Sequence, residues 1–355
     1  MMKAKKKNKL KIALIIIAVI IIIIFAAGMT ITSYLMGQNF SRGDYADPRY
    51  TADYYYEHYR EDYPRIEVSF QSGGNKLKGF IYGGDNDKGL LVFAHGIGGG
   101  HEDYMKTLIW FVDKGWRVFG YDATGSGHSE GSGTRGLPQS ALDLNAALDY
   151  IENDESLNEF PVFLMGHSWG GYAVTAVLNF DHEIAGSVSI AGYDDPMNMI
   201  SEFADGMMGD SSAAYPFMWI YNKVLYWNYS DLSAVDGINS SDVPVMIIHG
   251  TGDGTIGYDR SAIIAQRDRI TNPNVQYLTL DEMHSTMFNA KESREYSDEL
   301  NMEYERLYEQ YNGEIPDSVK EEFYAAADKD RLNIPNGEFL EHIEKFYDDI
   351  LDGQK

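Results

Sequence analysis

Residues 161–177 read PVFLMGHSWGGYAVTAV, an apolar run, a Gly-x-Ser-x-Gly turn and a second run of small and apolar residues. The first run, Pro161 to Met165, has the length and β-branched or aromatic content of a buried strand, and Gly171 to Val177 opens a helix. A chain that leaves a strand and enters a helix within a few residues must turn sharply. Glycines supply backbone that approaches its neighbours without a Cβ, and the serine between them is held in a strained conformation at the strand's C-terminal edge. Ser168 meets this requirement. The same pattern occurs at Gly127 to Gly131, but Ser129 sits in a Gly/Ser run from Gly125 to Gly133, past the nearest strand and with no helix following. It reads as a loop residue.

Outward from this turn, short apolar runs alternate with helical patterns: Ile66 to Phe70, Leu77 to Tyr82, Leu90 to Ala94, Arg117 to Tyr121, Ser187 to Ala191, Val243 to Ile248 and Val275 to Leu280. Strands alternating with helices predict an α/β fold with a mostly parallel central sheet and helices on both faces. The first two runs, joined by Ser72 to Asn75, predict an antiparallel hairpin at the sheet edge. Two stretches break the rhythm. About 193–242, rich in Met and aromatic residues, is too long for a plain connection and predicts a helical cap insertion. It reads either as a cap burying its own apolar face or as a lid over an apolar pocket. About 290–336 is an acidic helical insertion whose Tyr304, Leu307, Tyr308 and Tyr311 form one stripe, expected to pack in the core. An amphipathic helix from Phe339 to Leu351 is expected to close the sheet's outer face.

A serine hydroxyl is a poor nucleophile at neutral pH and needs a base within hydrogen-bond reach and an acid to orient that base. After the strand ending at Ile248 comes His249-Gly-Thr-Gly-Asp253, and after the strand ending at Leu280 comes Asp-Glu-Met-His284. The order Ser168, Asp253, His284, each just past a strand, makes these three the candidate catalytic residues, with Asp194 or Asp195 as alternative acids. An oxyanion formed at the serine needs backbone N–H donors. Trp169 directly follows the serine, and the glycine-rich loop His95 to Gly100 offers the Ile97 N–H. That loop lacks the patterns of a phosphate cradle. Chemistry of this type requires no metal and no organic cofactor.

The chain has 355 residues, no cysteine and a formal charge of −25. Disulfides and thiolate chemistry are excluded, and so acidic a surface argues against nucleic acid as a partner. Charge is segregated: six lysines between Lys3 and Lys11 precede an uncharged, apolar Ile12 to Met36. This pattern predicts a basic cytoplasmic segment (1–11), a transmembrane helix (12–36), a tyrosine-rich juxtamembrane segment (37–64) and an extracytoplasmic domain (65–355). A cleaved signal peptide ending near Ala26, Ala27 and Gly28 is the competing reading. The tyrosines either sit at lipid headgroups or pack on the domain.

The motifs HGIGGG (95–100), DATGSGHSEG (122–131), GHSWGG (166–171) and HGTGD (249–253), followed by His284, resemble the α/β-hydrolase superfamily, and in particular its membrane-anchored esterase, monoacylglycerol-lipase and serine-aminopeptidase-like branch. The resemblance covers about 66–288 and the last helix. It implies the α/β-hydrolase fold, Ser168 as nucleophile, Asp253 as acid, His284 as base, Ile97 and Trp169 as oxyanion donors, and a structural role for the loop carrying Ser129. The insertion at 290–336 departs from the family pattern. The expected function is that of a single-pass cell-membrane serine hydrolase acting on a small-molecule carboxylic ester or other acyl substrate. An aminopeptidase, which needs a carboxylate such as Glu202, Asp205 or Asp210 to hold a free amine, and a non-catalytic binding module are the alternatives.

Overall fold

The computed structural model describes residues 2–353; Met1, residues 354–355 and the side chains of residues 2–7, with four of the six N-terminal lysines, lie outside the described residues. Eight strands form one sheet: β1 (Arg65–Ser72), β2 (Asn75–Tyr82), β3 (Leu90–Ala94), β4 (Arg117–Asp122), β5 (Val162–His167), β6 (Gly186–Ile190), β7 (Val245–Gly250) and β8 (Val275–Leu280), in the order β1-β2-β4-β3-β5-β6-β7-β8. The β1–β2 hairpin lies at one edge and is antiparallel to its neighbours, and the other pairs are parallel. The helices are α1 (Met2–Asn39), α2 (Tyr56–Tyr59), α3 (Met105–Asp113), α4 (Gln139–Glu152), α5 (Trp169–Ala176), α6 (Pro196–Met208), α7 (Tyr215–Tyr226), α8 (Ala234–Ser240), α9 (Lys291–Gln310), α10 (Asp317–Ala326), α11 (Lys329–Leu332) and α12 (Gly337–Gly353).

Both faces of the sheet are covered, so β3 is buried at every residue and reads as an uninterrupted apolar run. The strand period of two sends Leu164 toward α4, α5 and α8, and sends Phe163 and Met165 into a second core layer with Phe111 of α3 and Ile343, Phe346 and Tyr347 of α12. The last helix therefore covers the sheet as expected. Its Tyr347 hydroxyl also donates to the Leu164 carbonyl at 2.8 Å.

The acidic insertion leaves and re-enters the fold at one place. Asn289 bridges Pro335, Ala290 N–H donates to Ile334 O and Asn336 N–H donates to Phe288 O. The tyrosine stripe of α9 does not join the core. Tyr304 packs edge-on against Phe323 of α10, while Tyr308 is about half exposed. Among the described residues α9 is flanked by the short helices α10 and α11, so one stripe has too little partner surface to be buried. The insertion instead straps the segment that follows α1: Arg49 pairs with Glu321 (3.0 Å), Tyr54 donates to Asp330 (2.6 Å) and Lys329 donates to Thr51 O (3.1 Å). The tyrosines between 45 and 63 are spent on such contacts. Tyr56, for instance, lies under the Arg65 guanidinium, 3.7 Å from its ring centre.

The chain leaving α1 is fastened to the loop that carries the second Gly-x-Ser-x-Gly pattern. Arg42 donates to the carbonyls of Gly127, Ser129 (2.8 Å) and Gly131 (3.1 Å), and Thr134 N–H donates to Phe40 O (2.9 Å). Ser129 is buried; its hydroxyl donates to Asp122 O and accepts from Lys78 N–H. Asp122 organises the surroundings, accepting from Tyr45 Oη (2.7 Å), from the amide of His101 (3.0 Å) and from the amide of His128 (2.8 Å). Burial alone pushes its carboxyl upward, but His101 and His128 outweigh that and hold it well below the usual carboxylate range. Asp122→Ala is expected to cost about 3–5 kcal/mol, the range for removing one member of a buried charged network. Urea denaturation of the full chain in detergent measures it, and a loss below about 1 kcal/mol contradicts this account.

Candidate active site

The turn after β5 shows why its glycines are needed. A Cβ on Gly166 would lie 2.2 Å from Gly170 O, and one on Gly170 would lie 1.9 Å from Ala94 O. Only glycine allows α5 to start this close to β3 and β5. Ser168 takes φ 57° and ψ −114°, outside the regions open to ordinary residues, and its N–H is held by Ile190 O at 2.8 Å. Such a conformation costs on the order of 1–3 kcal/mol and lifts the hydroxyl clear of the strand.

Strand register brings the other groups to the same place. Ala94 pairs with Gly166, so two residues on, Gly96 runs beside Ser168, where a Cβ would meet the serine Cβ at 3.6 Å. Gly250 pairs with Leu280, which sets Asp253 and His284 on adjacent loops. The Ser168 hydroxyl donates to His284 Nε2 at 2.9 Å, and His284 Nδ1–H donates to Asp253 Oδ2 at 2.7 Å. The other carboxylate oxygen accepts from the amides of Thr255 (2.8 Å) and Ile256 (2.9 Å). Burial raises the Asp253 carboxyl, but the bonds from His249, His284 and Ile256 N–H prevail and keep it well below the ordinary range. An ionised Asp253 fixes the imidazole tautomer with its Nε2 lone pair facing the serine.

Trp169 is the first residue of α5, where a backbone N–H has no acceptor in a preceding turn. Ile97, in the loop beyond Gly96, is about two-fifths exposed and borders the same space. Asp194 and Asp195 lie elsewhere: Asp194 binds Ser233, Val235 N–H and Arg269, and Asp195 caps α6 through Asn198 N–H. Glu202 is taken up by the amides of Gly257 and Ser261, Asp205 by Ser211 and Asp210 by Ser212. Above Ser168 and Trp169 is a cavity of about 340 Å³, roofed by Met199, Ile200, Phe203 and Ala204 of α6 and Met218 of α7. Among the described residues no Asp or Glu lines it. The cap is therefore both a packed layer and a roof.

Sequence reasoning missed a relay that ties the two loops together. Gly96 N–H donates to Tyr104 Oη (3.2 Å), Tyr104 O–H donates to His167 Nδ1 (2.8 Å), and His167 Nε2–H donates to His284 O (2.9 Å). The donor sense is forced, because a carbonyl oxygen only accepts. His167 is the x of Gly-x-Ser, and Tyr104 lies nine residues past His95 with no motif to mark it. His95, the first residue of its motif, accepts from Ala123 N–H (2.9 Å) and lies 2.6 Å from Gly96 O, bracing the glycine loop.

A family model described as serine aminopeptidase, S33, matches residues 85–239. The protein YfhR of Salmonella typhi is 24% identical over 224 residues, covering 61% of this chain and 71% of its own. Polyketide transferase grgF of Penicillium sp is 25% identical over 132 residues, 36% of this chain and 45% of its own. Among solved structures, the Pyrococcus furiosus esterase Pf2001 aligns with a TM-score of 0.53 at 19% identity, covering 76% of this chain and 98% of that one. The shared architecture is the α/β-hydrolase fold.

Tyr104→Phe leaves Gly96 N–H and His167 Nδ1 unpartnered; hydrolysis of any turned-over ester is expected to fall by about 10–100-fold through misplacement of the two loops. Unchanged kcat/KM in the folded variant contradicts the relay. Burial, aided by neighbouring His284, lowers His167 to about 3. The unfolded chain takes up that proton near ~6.5 and the fold does not, so stability falls as pH drops below about 6.5. Thermal melts between about pH 7 and 4.5 should show this fall, and His167→Gln should flatten it; identical slopes contradict the assignment.

Proposed function

We propose that this member of the α/β-hydrolase superfamily is a membrane-anchored serine hydrolase that cleaves carboxylic esters through an acyl-enzyme. The observation that carries the reading is the continuous path from the Ser168 hydroxyl through His284 to Asp253, at 2.9 and 2.7 Å, on the floor of an apolar cavity. Ser168 Oγ attacks the ester carbonyl carbon while His284 Nε2 takes the hydroxyl proton. The negative charge that develops on the carbonyl oxygen is met by the N–H groups of Ile97 and Trp169, each worth roughly 3–4 kcal/mol in such a site. As the carbonyl carbon–alkoxy oxygen bond breaks, His284 returns the proton to the departing alcohol. Water then adds to the acyl-enzyme, giving a proton to His284, and as the acyl carbon–Oγ bond breaks His284 returns that proton to Ser168 Oγ and the free acid leaves.

Esters are favoured over peptides because the cavity lacks a carboxylate to hold a free amine, and because Glu202, Asp205 and Asp210 are engaged elsewhere. The Pyrococcus furiosus neighbour is an esterase, which is in keeping with this. For the anchor, Asn8–Asn39 is long and apolar enough to cross a bilayer. The lysines preceding it support a cytoplasmic N-terminus and an extracytoplasmic catalytic domain. Retention over cleavage is supported by Phe25 and Gly28, which pack on Phe217 of α7.

A fluorophosphonate probe is expected to label the wild type at Ser168 and to leave Ser168→Ala unlabelled, with kcat for ester hydrolysis falling by about 10⁴–10⁶ in the variant. Wild-type protein that never labels defeats the proposal. In a panel of p-nitrophenyl esters and aminoacyl arylamides, the esters are expected to be turned over; a preference for the arylamides moves the assignment to the peptidase.

A further inference from the structure

The cavity over Ser168 is not closed by the cap alone. Ile31, Thr32, Leu35, Met36 and Asn39 of α1, with Phe40 after it, line it alongside α6 and α7. One face of the membrane helix is committed to the domain: Gly28, Thr32 and Met36 recur at intervals of four, and Thr32 and Met36 are buried. At Gly28 a Cβ would sit 2.4 Å from the Phe217 ring, so α1 and α7 approach as closely as a glycine allows. The chain then passes the oxyanion loop, where a Cβ on Gly43 would lie 2.6 Å from the Gly98 carbonyl carbon. Arg42 fixes this passage on its far side. The end of α1 is thus rigidly joined to the site.

The bilayer boundary falls at the same level. A hydrocarbon core of roughly 30 Å takes about 20 helical residues. Counted from Ile12, the first residue after the last lysine, that length ends at Ile31, the first α1 residue to line the cavity. Beside it, Phe203, Met207 and Met208 of α6 line the cavity and are about half exposed or more, and Trp219 of α7 and Trp227 just after that helix are exposed in the manner of aromatic residues at a membrane interface. Apolar side chains that both border a cavity and face outward make an opening, and this one lies where acyl chains end.

Resting on the ester-hydrolase reading, we infer that the last turns of the membrane helix are a wall of the acyl-binding pocket, and that the pocket takes the acyl chain of a single-chain bilayer lipid ester entering between α1 and α6. Thr32 and Met36 are then specificity-determining residues, and the anchor is part of the site as well as its tether.

The test uses full-length protein in phospholipid nanodiscs, with p-nitrophenyl butanoate and dodecanoate as probes. Met36→Trp, which fills the pocket from the α1 side, is expected to lower the dodecanoate-to-butanoate ratio of kcat/KM by about tenfold or more, and Met36→Ala to raise it. Ile20→Trp, at mid-span and away from the cavity, is expected to leave both esters unaffected. If both Met36 variants hydrolyse esters with the wild-type ratio to within about twofold, the α1 wall is overturned while the hydrolase reading stands. Should Met36→Trp fail to fold, the ratio in Met36→Ala decides alone. If wild-type protein hydrolyses neither ester and takes no fluorophosphonate, the underlying hydrolase reading fails instead.

Discussion

The site depends on one backbone constraint, the left-handed conformation of Ser168 between β5 and α5. It holds only because Gly166 and Gly170 have no side chains where β3, β5 and α5 converge. Everything else is arranged around a hydroxyl whose position the backbone has already set. The strain, of order 1–3 kcal/mol, is carried by the buried strands on both sides, and the Ile190 carbonyl secures the strained residue's own N–H. Because the serine is fixed by main chain, only its two partners have to be steered, and the parallel register of β7 and β8 does that.

Steering is reinforced by polar groups outside the Ser168–His284–Asp253 path. The relay from Gly96 through Tyr104 and His167 to the His284 carbonyl links the glycine-rich loop to the loop that carries His284. A neutral, buried His167 suits this task, since it donates on one side and accepts on the other. Asp122 does comparable work further out, gathering Tyr45, His101 and His128 so that the loop of the second Gly-x-Ser-x-Gly pattern becomes a seat for the chain leaving α1. The same motif thus serves two physical purposes in one protein. Next to a strand end it raises a serine, and in a glycine-rich loop it offers carbonyls to Arg42.

The acidic insertion also finds its explanation in contacts. Its two ends meet at Asn289 and Pro335, and its helices grip residues 49–54, so it stabilises the path between α1 and the domain. Its base adjoins the His284 loop, since Arg294 of α9 pairs with Glu282. The insertion therefore joins the features that hold α1 against the face that carries Ser168.

The alternation of apolar runs and helical patterns determined the α/β fold, and the spacing of glycines around residue 168 determined which serine is raised. These are local properties, since strand period, turn sterics and hydrophobic run length act within a few residues. The order Ser168, Asp253, His284 was legible for the same reason, each residue lying just past a recognisable strand. The partners of Tyr104, His167, Arg42 and Met36 were not, because their meaning comes from groups far away in the chain. The periodicity that made the tyrosines of α9 look like core residues gave no measure of how much surface would be there to cover them. Only the tertiary structure decided that α1 borders the pocket: amphipathic pattern is invisible in a helix that is apolar all round, so which face meets the domain is set by packing alone.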